Sequence, residues 1–307
     1  MSCAPLPQTM MGYVVRCSGR HQIGLAALAA GVFGLSSVPL ELQRRIVNDA
    51  IKSGATATIL WLAAAYAGVA LLEQGLKLAL NIYRAWVSED AVRSLRRSLR
   101  DIEQPDSDKA GTHTAMIVAE VEPIGGFVGM AISEPLLQAG ILASVIGYMT
   151  YLEPWALVLC AGFLLPQALF VPSMQQAINR RAEKRIRTLR KVGGDIVETG
   201  MPEDERIERV FALNMGIYKI KFTMNLAMNF MYYLAVAVAL GVGGLFAVDG
   251  RIEVGTVVAV VSGLGKLNDP WGDLVSWGRE LSVDSVKYRL FAEAVSRRER
   301  TEGLATA

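Results

Sequence analysis

The strongest constraint on this chain is the spacing of its charges. Lys, Arg, Asp and Glu are bunched, and long, almost charge-free apolar runs separate the bunches. A helix needs about 20 apolar residues, at about 1.5 Å each, to cross the hydrocarbon core of a bilayer. Six stretches meet or approach that length: about Ile23 to Leu42, Thr56 to Ile82, Ile124 to Tyr151, Trp155 to Gln175, Phe222 to Val248, and Val254 to Trp271. Their apolar residues run continuously rather than alternating, and backbone facing lipid must bond within its own segment or in a closed barrel. The expected fold class is therefore an all-α membrane protein with six transmembrane helices. Several stretches exceed the minimum, so those helices tilt or project beyond the membrane. Composition agrees: of 307 residues 52% are hydrophobic and 20% charged, against about 25% charged in a soluble domain. This argues against a soluble enzyme. The near-even count of 31 basic and 29 acidic residues argues against a nucleic-acid partner.

Basic residues give the topology. Lys and Arg number 2 in residues 1–22, 6 in 84–110, 11 in 177–221 and 7 in 266–307. The alternate connections hold only Arg44, Arg45 and Lys52 after the first stretch, none at 152–154, and Arg251. The positive-inside bias then places both termini in the cytoplasm. Arg16 and Arg20 ahead of Ile23–Leu35 have the outline of a signal peptide, but the apolar run outlasts a signal core and five further spans follow. Of the three cysteines, Cys3, Cys17 and Cys160, the last lies in an apolar run, and no disulfide framework is expected. His21 and His113 are far apart, and no zinc site is expected.

The connections differ in size. Those at 152–154 and 249–253 are tight, whereas about 83–123 and 176–221 are long and helical in pattern. Val92, Leu95 and Leu99 share a face at i, i+3, i+7 with arginines around them, and Ile186 and Leu189 do likewise within the basic stretch Arg180 to Lys191. Spans two to five are expected to continue into the cytoplasm as two long helical hairpins. The breaks are expected at Pro105, Asp106 and Gly111, and from Gly193-Gly194 through Gly200-Met201-Pro202.

With these pieces in order, the chain resembles the transmembrane domain of ATP-binding-cassette exporters over about Ile23 to Val295. Pro39-Leu40 through Ile46-Val47-Asn48-Asp49-Ala50 is similar to the end of that family's first helix, and Val92-Arg93-Ser94-Leu95-Arg96-Arg97-Ser98-Leu99 to its arginine-rich helix. Ala119-Glu120-Val121-Glu122-Pro123-Ile124 resembles the acidic-Val-acidic opening of the third helix. Ile207-Glu208-Arg209-Val210-Phe211 resembles the coupling segment. Asp249-Gly250-Arg251-Ile252-Glu253-Val254-Gly255-Thr256 resembles the turn before the sixth helix, and Asp269-Pro270 with Ser285-Val286-Lys287-Tyr288-Arg289-Leu290-Phe291 the exit helix. Pro202-Glu203-Asp204-Glu205 departs from the pattern, making the second tip longer and more acidic.

The resemblance implies a cytoplasmic N-terminal segment (1–22), a six-helix domain (23–295) and a charged tail (296–307). It implies residence in a bacterial inner (plasma) membrane among lipid, a second six-helix transmembrane subunit, identical or different, and separate nucleotide-binding ATPase subunits. No Gly-x-x-x-x-Gly-Lys-[Ser/Thr] phosphate loop occurs; Gly263-Leu264-Gly265-Lys266 is followed by Leu267, so the spacing that wraps phosphates and holds Mg²⁺ is missing. No ATPase activity and no directly bound cofactor are expected; ATP-Mg belongs to the partner. The tips are implied to dock on that ATPase through Met116, Ile117 and Glu120 at the first and Ile207, Val210 and Phe211 at the second. The plainer reading is that these apolar side chains pack on their own hairpins.

Polar residues inside spans need separate weighing, because a mid-membrane charge costs about 2.5–3.5 kcal/mol even on lenient scales. Glu73 and Lys77 stand four apart in the favourable order for a helical pair; they either face a pathway or neutralise each other. Glu134 is expected as a solvated carboxylate near the inner interface. Asn225 and Asn229 share a face near Met228, and such a face lines a cavity or packs as core. Small residues at Ala26, Ala30 and Gly34, and at Gly125 and Gly129, allow close helix approach within or between chains. The same fold also admits an ion-gradient carrier without an ATPase, which would need Glu73 or Glu134 as a protonatable group, and a non-transporting regulatory membrane subunit.

Overall fold

The computed structural model describes residues 7–51, 54, 56–100, 121–199, 201 and 203–305. They are helical throughout, with no strand among them. In order they form α1 (Met10–Leu35), α2 (Val38–Arg45), a π-helical turn (Ile46–Ile51), α3 (Thr56–Arg100), α4 (residues 121–130), α5 (Ser133–Leu152), α6 (Trp155–Thr199), α7 (Asp204–Val248) and α8 (Val254–Ala305). Five segments are long and apolar enough to cross a membrane: Met10–Asp49, Thr56–Arg97, Val121–Leu152, Trp155–Leu189 and Asp204–Val248. This is the architecture of an integral membrane protein.

The expected sixth span is not among these five. Its apolar run stops at Lys266, with Asn268 and Asp269 following, and continues within the 52-residue helix α8 without a break. The first helix also begins earlier than expected. Thr9 caps it by accepting from Gly12 N at 3.1 Å, and Met10, Tyr13, Val14, Ser18, Gln22, Leu25, Ala29 and Val32 form one buried stripe. The polar Ser18 and Gln22 within that stripe hide it from an apolar count. The reading of no disulfide is corrected at Cys17, which is disulfide-bonded, whereas Cys160 is free and buried.

The chain forms two compact units, Met1–Tyr148 with Lys266–Ala307, and Met149–Gly265. In the first, α1 packs on α3, and Leu80, Val87, Ala91, Leu95, Ile124, Phe127 and Val128 are buried. Gly125 and Gly129 make the α3–α4 approach possible. A Cβ at Gly125 would lie 2.8 Å from Val92 N, and one at Gly129 would come within 3.0 Å of Arg84 O and Ser88 Oγ. That ridge therefore serves an intrachain contact. On the other ridge Ala30 and Gly34 are exposed, and Gly34 meets nothing within 4 Å.

In the second unit, α6 and α7 pack against each other as an antiparallel hairpin. The contacts step towards the turn in register: Trp155 with Phe246, Phe163 with Tyr232, Arg181 beside Gly216, Arg185 with Asn214, and Arg206 with the Lys191 carbonyl. The break expected from Gly193 does not fall there: α6 continues through Gly193 and Gly194 to Thr199, and α7 starts at Asp204. At the opposite end Gly250, at φ 69°, takes the left-handed position after α7, and Arg251 N closes on Phe246 O at 2.9 Å.

Candidate functional site

The first unit carries two buried ionic clusters on α3. The upper one starts at a helix break. α1 stops at Leu35, and Pro39 has no N–H to offer the Ser36 carbonyl, while Leu40 N and Glu41 N both bond to Ser37 O. Ser36 O thus remains an acceptor, and Lys266 Nζ donates to it at 2.7 Å. The same ammonium lies 3.7 Å from one oxygen of Glu73, while Lys77 Nζ reaches the other at 2.8 Å. Glu73 is buried and the two lysines about one-third exposed. With all three ionised the cluster holds one excess positive charge.

The lower cluster lies eleven residues further along α3, about 16 Å at helical rise. Arg84 Nε donates to Ser133 Oγ at 2.8 Å, and its Nη1 pairs with Glu134. Ser133 Oγ in turn donates to Gly129 O at 3.0 Å, in the crossing where glycine lets α3 approach. Gln138 Nε2 donates to Glu134 Oε1 at 2.7 Å and to Asp273 Oδ2 at 2.9 Å, so the chain of bonds joins α3, α5 and α8. Arg84, Ser133 and Gln138 are all more than nine-tenths buried, and Arg84 Nη2 has no hydrogen-bond partner. Asp273 has its carboxyl pushed above the usual range, first by burial and then by the charges of Glu134 and Asp269. Below Asp273 on α8, Trp277 Nε1 donates to Ala131 O at 3.2 Å. Among the described residues no cluster of His, Cys, Asp and Glu could hold a metal ion.

These clusters are arrays of charge-assisted bonds across helices, in surroundings where an unpaired charge is costly. Separating α3, α5 and α8 would break several bonds together and require new partners for Arg84, Glu134 and Asp273.

The structure pairs Glu73 with Lys77 and adds Lys266, which the sequence suggested only as an inner-side charge. Glu134, expected in solvent, is an ion-pair partner instead; the residue that captures it, Arg84, lies just past an apolar run and is counted among the inside charges of the second connection. Asn225 and Asn229 are exposed on α7, and Met228 is partly covered. Ile207 and Phe211 are exposed by 46% and 60%, with Val210 half-buried between them. Packing on their own hairpin therefore does not cover them. Met116, Ile117, Glu120 and the break around Pro105 lie outside the described residues. Arg84, Ser133, Gln138 and Asp273 escaped sequence reading because each is a single polar residue, and only the fold brings them together.

No protein-family model matches this chain. The functional reading therefore rests on geometry and on the sequence pattern.

Proposed function

We propose that this chain is the permease subunit of an ATP-driven exporter, forming half of an alternating-access path with a second six-helix subunit and taking energy from separate ATPase subunits. The observation that carries this reading is the α6–α7 hairpin. Each helix has 45 residues, about 68 Å at 1.5 Å per residue and more than twice the hydrocarbon thickness. The hairpin therefore projects far beyond any membrane it crosses. Its far end presents Ile207 and Phe211 to solvent, and exposed apolar residues of this size on a charged projection suit a docking partner. On this reading the positive-inside bias puts that end in the cytoplasm, and the sixth crossing is made by the apolar start of α8.

The second subunit is supported by Asn225 and Asn229. They are exposed among Phe222, Leu226, Phe230 and Tyr233, themselves 63–70% exposed. A side-chain amide facing hydrocarbon is unfavourable, so this face suits a partner helix or an aqueous path. The ionic clusters would hold one of the two states, with closure of the ATPases shifting their balance.

Phe211→Ala is expected to weaken recovery of an ATPase in pull-downs from native membranes while leaving insertion intact. Undiminished recovery would remove the docking assignment. The ion-gradient reading draws support from the Glu134–Gln138–Asp273 chain, which offers a carboxyl with raised proton affinity. Transport that survives ATP depletion and collapses with a protonophore would select it.

A further inference from the structure

The basic end of the α6–α7 hairpin holds a groove that neither coupling nor membrane insertion accounts for. It encloses about 460 Å³ and is lined by Lys184, Arg187, Thr188 and Lys191 from α6 and by Arg206, Arg209 and Leu213 from α7. Two of the five cations are neutralised: Arg187 by Glu183, and Arg206 by Glu203 at 3.0 Å. Lys184, Lys191 and Arg209 have no carboxylate partner among the described residues. Like charges are thus brought together from two helices into one concavity, an arrangement that opposes hairpin closure unless an anion lies between them.

Position along the helices indicates the anion's source. From Trp155, about 20 residues of α6 cross the hydrocarbon core. Lys184 and Lys191 then stand about 14 and 24 Å beyond it at helical rise. The headgroup layer extends only about 5–8 Å from the core, so lipid phosphates do not reach the groove. The lining includes no aromatic ring on which a base could stack.

We propose that this groove binds a soluble, multiply phosphorylated anion, recognised through its phosphate chain and clamping α6 to α7. The proposal is independent of the transport reading, since it needs only the hairpin and its charges. The test uses the full-length protein in zwitterionic nanodiscs, with inorganic tripolyphosphate as the probe and binding followed by calorimetry and thermal unfolding. Saturable binding that raises the Tm is expected. The triple variant Lys184→Gln, Lys191→Gln, Arg209→Gln should weaken it by about tenfold or more, since charge-assisted phosphate contacts are lost. Lys219→Gln with Lys221→Gln, on α7 outside the groove, should bind as the parent does. Equal stabilisation by sodium chloride at matched ionic strength would reduce the effect to screening and overturn the proposal. So would binding that the triple variant retains, or binding seen only when phosphoinositides are built into the disc.

Discussion

The two units, built of the same helical material, differ in what they bury. In Met1–Tyr148 with Lys266–Ala307, polar and charged side chains are buried against one another: Ser18, Gln22, Glu73, Arg84, Asp90, Ser133, Gln138 and Asp284 are all inside. In Met149–Gly265, only Gln167 and Thr256 among the described polar residues are buried, and the hairpin leaves large apolar side chains uncovered from Phe211 to Val248. A unit knit by specific polar pairs has its packing defined from within. Both units also carry bare apolar faces, on α3 (Leu60, Trp61, Leu71 and Ile82 are 62–78% exposed) as on α7, which lipid or protein must cover. The difference is the buried polar framework of the first unit, which the described residues of the second lack.

The largest expected effect tests the first half of that contrast. Arg84→Ala removes the partner of Glu134 and leaves a largely buried carboxylate, which costs about 3–5 kcal/mol for a buried pair. In detergent the Tm should fall sharply and the protein lose monodispersity. Arg84→Met combined with Glu134→Leu should recover much of the loss, because an apolar replacement of the whole pair removes the uncompensated charge. Failure of the double variant to recover would show that the pair is needed for more than neutrality. The same two substitutions have no counterpart in the second unit, where no buried ion pair joins α6 to α7 among the described residues.

A smaller loss is expected at the α3–α4 crossing. Gly129→Ala would drive a methyl group into Arg84 O and Ser88 Oγ, and overpacking of this kind costs about 1–3 kcal/mol. Gly162→Ala, on α6 with nothing within 4 Å, should leave the Tm unchanged. A comparable fall at both positions would mean that the hairpin is packed as tightly as the frame, and the contrast would fail.

The legible part of this molecule is what depends on local pattern. Continuous apolar runs forecast long helices, and the long basic connection forecast the α6–α7 hairpin, because both follow from backbone bonding and burial over consecutive residues. The glycine pair Gly125 and Gly129 was visible as a close-approach ridge, but its partner was not, since spacing on one helix is silent about what packs on it. The ionic clusters were the least legible. Arg84 and Lys266 lie at the ends of apolar runs, and a count of inside charges absorbs them without assigning either a partner. Their role appears only when Pro39 frees the Ser36 carbonyl and Gly129 brings α3 close to Ser133. The start of α1 was missed for a related reason: Ser18 and Gln22 are polar yet buried, Gln22 by a bond to Val128 O at 2.8 Å.

The exposed asparagines give the next prediction. Asn229→Leu in the monomer should change stability by no more than about 0.5 kcal/mol, as for surface positions in general. If α7 meets a second subunit there, the same change should weaken dimerisation measured by single-molecule photobleaching in vesicles. An unaltered dimer fraction would return this face to lipid.

The smallest effect distinguishes the units by pH. Asp273 is held above the ordinary carboxyl value of 3.8 by burial and by Glu134 and Asp269, so the folded protein takes up this proton more readily than the unfolded chain. Stability from this group is therefore greatest on the acid side and declines as pH rises from about 3.8 through the raised value. Its side chain keeps an exposed side, and solvent screening makes the slope shallow. Asp273→Asn keeps an acceptor for Gln138 and removes the titration, so the Tm of the variant should depend less on pH across that window than the Tm of the parent. A slope that persists unchanged would assign the acid stabilisation to another carboxyl. A slope of the opposite sign would mean that Arg84 reaches past Glu134 to Asp273, making the lower cluster a shared ion site rather than a pair with a neutralisable neighbour.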